Sequence, residues 1–413
     1  MQEEFFMILQ AVGITAEYNP FHNGHRWQLN AVREKYGNVP VIACMSGFFV
    51  QRGEIALTDP WSRAAMAVRA GVDLVLLLPA WYSLRSADYF AAGAVKTLAA
   101  TGLVNTLVCG AELGAGNTLA ETAAWSLQEK TEQQIKTLLQ KGLSYGAAWE
   151  TAASENFKDA GWFKGANNLL ALAYQKAVLQ NNLPFELVTL PRQGRGYNET
   201  ELTPPYASAS AIRTALRNNC PPSSLASVLP ADSLALLRLN ETDYPARFAR
   251  QEETLTLLLG SLFARCGSRD LYEHSSASQD LCDRFHNARS ELQQGYNAFC
   301  QRVTSKRDPL PSVRRLALQL LLHKERTFWT NTPEPAYLRV LAFNDRGRRL
   351  LKEMKATAKL PVITKPGNKE QYKNTALHPL LQLDADTADL YQLLNGNPGI
   401  YGTCFTTSPV YVK

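Results

Sequence analysis

Several features that mark other protein classes are missing from this sequence of 413 residues. The seven cysteines are scattered and never form a Cys-x-x-Cys pair, which argues against a disulfide framework and a thiolate zinc site. The aliphatic run Leu74–Leu78 ends at Pro79, far short of the ~20 apolar residues that cross a bilayer. The N-terminus opens on Glu3 and Glu4 rather than on basic residues, unlike a secretory signal. We therefore predict a folded cytoplasmic protein with no membrane partner and no protein-bound metal.

Two common phosphate-binding loops are missing as well, since the chain contains neither G-x-x-x-x-G-K-[ST] nor G-x-G-x-x-G. No low-complexity tract interrupts it, and 43 basic residues against 37 acidic ones give a net charge of only +6. This composition excludes a wholly disordered or fibrous chain. At ~100–200 residues per domain, the length predicts two or three domains.

What is present in the first half is a regular alternation of short apolar segments and helical patterns. Five segments are predicted as strands, namely 12–17, 39–45, 72–78, 103–109 and 185–190. Asp59 before Pro60 predicts the start of one helix, and Gly71 its end. Ser86 and Gly102 bound the next helix in the same way. Because strands that alternate with helices form parallel sheets, the fold class is predicted as α/β, with a Rossmann-like, parallel five-stranded sheet.

The pattern changes after residue 190. A loop rich in Gly and Arg at 192–197 leads to a helix predicted over 208–219, and a Pro-Pro pair then interrupts the chain. Beyond that pair, apolar residues recur at helical spacing, as in 234–239, 255–263 and 313–322. We predict a first domain over residues 1–220 that carries the sheet and a second, mostly α-helical domain over residues 221–413.

The first predicted strand runs directly into Glu17-Tyr18-Asn19-Pro20-Phe21-His22-Asn23-Gly24-His25, and a helical pattern follows. A strand that turns into a helix N-terminus aims backbone N–H groups and the positive end of the helix dipole at one point, which favours a phosphate. His22 and His25 share one face at helical spacing, and Gly24 lets a ligand approach the backbone. We predict that both imidazoles stabilise the charge that develops when the α-phosphorus of a triphosphate is attacked. The alternative is that His22 caps the helix and His25 is half-buried structure.

A second candidate phosphate contact lies just past the sheet segments. Ser208 and Ser210 can cap the helix that follows, and Arg213 comes one turn later. Such a segment alone is common on ordinary helices, but the histidine turn and this segment, in this order, are together more specific for a nucleotide. Gly110 follows the fourth predicted strand, where we expect the backbone to approach the nucleotide closely.

The run from Glu17 to His25 resembles the nucleotide-binding motif of the bacterial tRNA(Met) cytidine acetate ligases, a branch of the H-x-G-H nucleotidyltransferase superfamily. Met45-Ser46-Gly47 and Val50-Gln51-Arg52-Gly53-Glu54 resemble the second block of that family. Weaker similarity continues through further segments and so covers most of the chain: 110–112, 167–170, Arg192, 208–213 and 339–344. Relative to the family the N-terminus is longer by several residues, which makes Met7 the expected start.

The resemblance implies an enzyme that activates acetate with ATP, giving acetyl-adenylate and pyrophosphate. It then implies transfer of the acetyl group to the exocyclic amine of the wobble cytidine in elongator tRNA(Met). ATP, together with Mg²⁺, is the implied nucleotide substrate, and His22 and His25 are the implied catalytic residues. The ATP-binding residues that the resemblance implies are Thr15, Ala16, Glu17, Tyr18, Asn19, Pro20, Phe21, His22, Asn23, Gly24, His25, Arg26, Trp27, Gln28, Gly110, Asn167, Asn168 and Arg192. The second candidate phosphate contact adds Ser208, Ser210 and Arg213 to the predicted ATP-binding residues.

Two further binding roles are predicted for basic residues. Acetate needs one cation in a small pocket, and Arg52 is the candidate, with an ordinary surface arginine as the alternative. Between residues 339 and 373, ten basic residues stand against three acidic ones, which favours contact with a nucleic-acid backbone. The predicted tRNA-binding residues are Arg339, Arg346, Arg348, Arg349, Lys352 and Lys355. A solvated helix face is the alternative interpretation.

Two other functions are compatible with these patterns. One is a small-molecule nucleotidyltransferase of the same fold without an RNA substrate, and the other is a tRNA-binding protein without catalysis. Release of pyrophosphate that depends on acetate, rather than on a phosphorylated metabolite, would favour the ligase. The sequence leaves the oligomeric state open.

Overall fold

The computed structural model describes residues 10–113, 118–157, 161–192, 201–240 and 243–413. Met7 and most of the predicted loop at 192–197, namely residues 193–197, lie outside these ranges. No helix within them is long and apolar enough to cross a membrane.

One mixed sheet forms the centre of the described structure. Its strands are β1 (Ala11–Ala16), β2 (Val41–Ser46), β3 (Leu74–Leu78), β4 (Val104–Ala111), β5 (Glu186–Pro191), β6 (Leu338–Phe343), β7 (Val362–Ile363) and β8 (Val410–Tyr411). They pair in the order β5-β4-β1-β2-β3-β6-β7, and β8 also pairs with β6. The α/β class and the five predicted strands are confirmed, and those five pair in parallel.

The prediction of five strands for the whole sheet is wrong. β6, from the last quarter of the chain, pairs antiparallel with β3 and places Phe343 opposite Leu74. All residues of β6 but the last are buried, so this apolar segment finds its partner in the exposed edge that β3 would otherwise present. β7 and β8 are two residues each, too short to show strand periodicity in a sequence.

The helices before residue 220 begin and end at local signals. They are α1 (Asn23–Tyr36), α2 (Pro60–Arg69), α3 (Ala80–Ser83), α4 (Ala87–Ala99), α5 (Thr118–Ser126), α6 (Glu129–Gln140), α7 (Tyr145–Ser154), α8 (Ala166–Gln180) and α9 (Ala209–Arg217). The Asp59 carboxylate accepts a first-turn N–H of α2 at 3.0 Å, with Pro60 as the first helical residue, and Ser86 directly precedes α4. Gly71 and Gly102 follow these two helices with φ of 116° and 69°, a region that favours glycine.

The described chain after residue 220 is mostly helical, as predicted. Its helices are α10 (Ala231–Asn240), α11 (Tyr244–Phe263), α12 (Ser268–Glu273), α13 (Gln279–Asn287), α14 (Tyr296–Val303), α15 (Leu310–Leu322), α16 (Arg326–Thr330), α17 (Asp345–Thr357), α18 (His378–Leu394) and α19 (Thr403–Thr406). Short 3-10 helices span Gly161–Phe163, Pro222–Leu225, Arg289–Gln294 and Lys369–Tyr372. The boundary expected at residue 220 falls just before the second of these and stays a prediction.

The two ends of the parallel strands define two edges of the sheet. We call the edge at which β1 to β5 begin the amino edge, and the edge at which they end the carboxyl edge. α17 crosses the amino edge: Arg346 donates to Asn38 O at 3.3 Å, before β2, and the hydroxyl of Thr357 donates to the main chain before β4 at 2.9 Å. Between these points, a Cβ on Gly347 would lie 2.0 Å from Asp73 O, so only glycine lets α17 approach this closely.

Candidate active site

A cavity of about 260 Å³ lies at the carboxyl edge, between the ends of β1 and β4, the start of α1, the loop after β2, and the starts of α8 and α9. Most of the predicted ATP residues line it: Thr15, Ala16, Glu17, Tyr18, Asn19, His22, Gly24, His25, Trp27, Gln28, Gly110, Asn167, Arg192, Ser208, Ser210 and Arg213. Five of the predicted residues are not among its lining: Pro20, Phe21, Asn23, Arg26 and Asn168. The sequence motif and this cavity therefore coincide at the end of β1.

Four of these five residues belong to the turn or to α1, and Asn168 is described with Asn167 below. Phe21 is fully buried, and the Asn23 side-chain amide donates to Pro205 O at 3.1 Å and Ser227 O at 3.0 Å. Pro20 follows a cis peptide bond, and Arg26 is exposed on α1. Pro20, Phe21 and Asn23 are therefore part of the structure of the turn, and Arg26 lies outside it.

His22 and His25 bond the backbone of the turn that enters α1. The His22 ring accepts from Gly24 N through Nδ1 at 3.1 Å, and His22 N donates to Nδ1 of His25 at 3.2 Å. The two rings stack with their centroids 3.7 Å apart. A Cβ on Gly24 would lie 2.9 Å from Cε1 of His22, so glycine is needed here to make room for the ring. His22 thus caps the helix, as the alternative interpretation held, and lines the cavity as well.

Both imidazoles are neutral at physiological pH. Burial lowers the pKa of His22 to about 3, and the positive charges of Arg192 and Arg213 act in the same direction. Burial also lowers the pKa of His25 well below its usual value, with smaller contributions from His22 and Arg192. Because Nδ1 of each neutral ring accepts a backbone N–H, its single hydrogen is on Nε2. The pair therefore offers two N–H donors rather than two cations.

An ion-pair network that the sequence patterns did not reveal joins the cavity to the helical half. Arg213 donates to Asn19 O at 2.7 Å, to Glu54 Oε2 at 2.7 Å and to Ser210 Oγ at 3.3 Å. The other oxygen of Glu54, Oε1, accepts from Arg314 of α15 at 2.8 Å. Ser208 caps α9 as predicted, accepting from its backbone at 3.0 Å. Ser208, Ser210 and Arg213 thus lie together at the cavity, and a carboxylate partly neutralises the arginine.

Glu17 directly follows β1 and carries a partly buried carboxyl group at the cavity wall. Its Oε1 accepts from Gln51 N at 2.7 Å, and burial raises its pKa. Arg63, a fully buried residue of α2 that the sequence analysis missed, donates to the main-chain oxygens of Glu17 and Ser46 and to Thr58 O at 3.2 Å. Arg63 therefore holds the strand ends and the loop after β2 together.

The two predicted asparagines of α8 have different roles. Asn167 lines the cavity, where its Oδ1 accepts from Arg192 at 2.7 Å and its Nδ2 donates to Glu112 at 2.6 Å. Asn168 is buried, and its Oδ1 accepts from Glu112 N and Leu113 N at 2.8 and 3.0 Å. Asn168 therefore holds the backbone after β4. Gly110 comes close to a side chain: a Cβ there would lie 3.3 Å from Cγ of Arg192.

Arg52, the predicted acetate residue, also lines the cavity. Its charge, with those of Arg213 and Arg314, lowers the pKa of Glu54 against the effect of burial. No three His, Cys, Asp or Glu side chains in the described ranges come together as a metal site.

The predicted tRNA-binding residues do not lie at the cavity. Arg339 is 1% exposed, and its guanidinium donates to the main-chain oxygens of Thr364, Cys404 and Thr407, so it belongs to the core. The other five residues (Arg346, Arg348, Arg349, Lys352 and Lys355) lie on α17, at the amino edge. A strand's length therefore separates them from the carboxyl edge.

Other exposed basic residues of the helical half were not singled out from the sequence. Arg302, Lys306 and Arg307 are exposed at the end of α14 and in the turn before α15. We call these three the basic-turn residues. The helix that follows them, α15, contacts the loop that lines the cavity through Arg314 and Arg315. Arg315 of α15 donates to Gln51 O at 2.8 Å.

Comparisons with known proteins identify the family of the chain. A family model described as HIGH nucleotidyl transferase matches residues 9–401. The tRNA(Met) cytidine acetate ligase of Syntrophomonas wolfei is 34% identical over 97% of this chain and 99% of its own. That of Clostridium novyi is 31% identical over 98% of this chain and 100% of its own.

Two solved structures of Thermotoga maritima TmcAL share the fold. The apo form superposes with a TM-score of 0.88 at 29% identity, over 98% of this chain and 99% of the other. The form bound with alpha-thio ATP gives a TM-score of 0.84 at 28% identity over the same shares. The chain therefore belongs to the HIGH nucleotidyl transferase family and, within it, to the tRNA(Met) cytidine acetate ligase family that its motif resembles.

Proposed function

We propose that the protein is an ATP-dependent ligase that converts acetate and ATP to acetyl-adenylate and pyrophosphate. It then acetylates the exocyclic amine of the wobble cytidine in elongator tRNA(Met). The observation that carries this proposal is the pair of neutral imidazoles, His22 and His25, at a cavity wall where a strand turns into a helix N-terminus. The names of the relatives, and the alpha-thio ATP bound by the T. maritima protein, support the substrates.

The first step needs stabilisation of charge more than a base. An oxygen of acetate forms a bond to the α-phosphorus of ATP, the bond from that phosphorus to the bridging oxygen breaks, and pyrophosphate leaves. Acetate is already an anion, so no proton has to be removed. The Nε2–H groups of His22 and His25 donate to the phosphate oxygens as their charge increases. Mg²⁺ accompanies ATP on its phosphate oxygens, the ligands that this ion usually takes.

The arginines that line the cavity bind the two small substrates. Arg192 and Arg213 attract the triphosphate at the start of α1, where the helix dipole also favours a negative charge. Arg52 holds the acetate carboxylate. In this proposal residues 1–220 bind both small substrates, and residues 221–413 contribute the RNA contacts. The α17 face is the RNA surface that the sequence predicts, and the basic-turn residues, exposed before a helix that contacts the cavity loop, are a second candidate.

The decisive experiment combines the protein with ATP, labelled acetate and unmodified elongator tRNA(Met). We expect label in the RNA and, without RNA, exchange of pyrophosphate into ATP that depends on acetate. Exchange that depends on a phosphorylated metabolite would favour a small-molecule nucleotidyltransferase. Binding of tRNA without exchange or transfer would favour a non-catalytic protein.

A further inference from the structure

The second step of the proposed reaction, on which this inference rests, releases a proton that some group must accept. The lone pair of the exocyclic amine of cytosine is delocalised into the ring, so the amine is a weak nucleophile. It becomes effective when a base removes its proton as the new bond forms. A group at the cavity wall with a free, basic lone pair is therefore needed.

The histidines cannot supply that lone pair in the arrangement seen. Nδ1 of His22 accepts from Gly24 N, and Nδ1 of His25 accepts from His22 N. The remaining nitrogen of each ring carries the hydrogen and can only donate. The two rings therefore suit the phosphate of the first step and not the proton of the second.

Two carboxyl groups, Glu17 and Glu54, are found among the described residues that line the cavity, and they differ in whether an oxygen is available to accept a proton. Both oxygens of Glu54 accept from guanidinium groups, Oε2 from Arg213 and Oε1 from Arg314, and these charges lower its pKa. Glu17 has a single hydrogen bond, from Gln51 N to Oε1, and none of the described residues donates to Oε2. Burial raises the pKa of Glu17, and a carboxylate of raised pKa is the stronger base.

The charged and titratable groups that face Glu17 come from four directions. Arg213 of α9 and Arg63 of α2 lower its pKa, whereas Glu54 of the loop after β2 raises it. Tyr174 of α8 faces Glu17 as a buried phenol that burial keeps protonated, since its pKa is well above the usual value. Burial has the largest effect on Glu17, so the carboxyl group is poised to take up a proton rather than locked in an ion pair.

We propose that Glu17 is the general base of acetyl transfer. The nitrogen lone pair of the cytosine amine forms a bond to the carbonyl carbon of acetyl-adenylate. The proton leaves that nitrogen for the Glu17 carboxylate, and the carbon–oxygen bond to AMP breaks with its electron pair on AMP. Glu17 then returns the proton to water. The same cavity thus uses neutral donors for the first step and a partly buried acceptor for the second.

The test is Glu17→Gln, which keeps an acceptor for Gln51 N but cannot take up a proton, with Glu34→Gln on the exposed side of α1 as the matched control. Acetate-dependent exchange of pyrophosphate into ATP measures the first step. Single-turnover transfer from preformed acetyl-adenylate to tRNA measures the second. We expect E17Q to lower transfer by about 10²-fold or more beyond any effect on exchange, the usual contribution of a general base. E34Q should keep both activities.

The outcomes separate this inference from the proposed function. If the wild-type protein shows no acetate-dependent exchange, the proposed function itself fails. If E17Q loses exchange and transfer together, or loses neither, Glu17 is not the base. A second measurement needs no variant: the wild-type rate of transfer should rise with pH through a range above the usual titration range of a glutamate, as one carboxyl group loses its proton. A transfer rate that does not change with pH in that range would overturn the inference.

Discussion

The carboxyl and amino edges of the sheet both carry buried polar groups and nearby basic residues, but the hydrogen-bond partners of these polar groups differ between the two edges. At the amino edge the Asp73 carboxylate accepts from Val41 N at 2.8 Å, from Asn344 at 3.1 Å and from Arg33 at 3.1 Å. All of its bonds hold strand starts and helices in place. At the carboxyl edge, by contrast, the histidine pair lines the cavity, and none of the described residues accepts from its Nε2–H groups. The difference teaches that the partners of a polar group, rather than local charge, distinguish a site from a structural contact.

The comparison predicts that the largest loss of activity comes from the carboxyl edge. His22→Ala combined with His25→Ala should lower acetate-dependent exchange by at least about 10²-fold, the usual cost of removing a donor to a developing oxyanion. The matched control is the other stacked histidine pair, His274 and His323, whose centroids are 4.1 Å apart on the helical half. Alanine at both of those positions should leave exchange unchanged, and an equal loss would refute the assignment.

The reverse result is expected at the amino edge, where stability rather than activity should suffer. Asp73 is 4% exposed in its side chain, and Asp73→Ala leaves Val41 N without its acceptor and Arg33 without its carboxylate partner. We expect the free energy of unfolding to fall by about 3 kcal/mol, as measured by urea denaturation, with exchange at low temperature retained. Asp232→Ala, which removes an exposed ion pair with Arg69, should change stability by less than about 1 kcal/mol.

Acid should weaken the carboxyl edge selectively. The folded pKa of His22, about 3, lies below the value of 6.5 expected when the chain is unfolded, so the unfolded state takes up the proton first. Stability is therefore fully present above about pH 6.5 and falls as the pH drops towards 3. Between pH 7 and pH 5 this histidine should cost about 2 kcal/mol. Thermal denaturation of wild-type protein and His22→Ala at both pH values measures this, and parallel losses would contradict the assignment.

The smallest expected effect is on tRNA binding, and it distinguishes the basic-turn residues from the α17 face as the RNA surface. If the basic-turn residues contact the RNA backbone, Lys306→Ala should weaken the binding of every tRNA and reduce the salt dependence of binding by about one unit of slope. Lys352→Ala on α17 is the matched control, an exposed lysine at the amino edge. Titrations of tRNA at several salt concentrations measure both variants. A larger loss for Lys352→Ala would restore the α17 face as the RNA surface.

Local signals allowed much of the sheet and its helices to be predicted. Asp59, Pro60 and Gly71 bound α2 in the structure as in the sequence, because capping and helix termination depend on neighbouring residues only. β6 was missed because its place is set by pairing with β3, a strand more than half the chain away. Arg339 was predicted on an exposed face because charge is usually exposed, but in β6 its guanidinium satisfies three main-chain oxygens of the core.

In the candidate site, too, the parts formed by neighbouring residues could be predicted, and the contacts between residues distant in sequence could not. The histidine turn could be predicted because all of its parts lie within nine consecutive residues, from Glu17 to His25. The contact between Glu54 and Arg314 could not, since 260 residues separate the two in sequence. Whether a carboxylate in the cavity is neutralised or free to act depends on such distant partners.

The contact between Glu54 and Arg314 has a consequence for any shortened form of this protein. A chain ending at residue 220 would keep the histidine turn and Arg213 but lose one of the two guanidinium groups that bind Glu54. The surplus negative charge would then lie beside the place where a triphosphate must enter. The helical half is thus an electrostatic component of the proposed nucleotide site, although the described residues that line the cavity all precede residue 220.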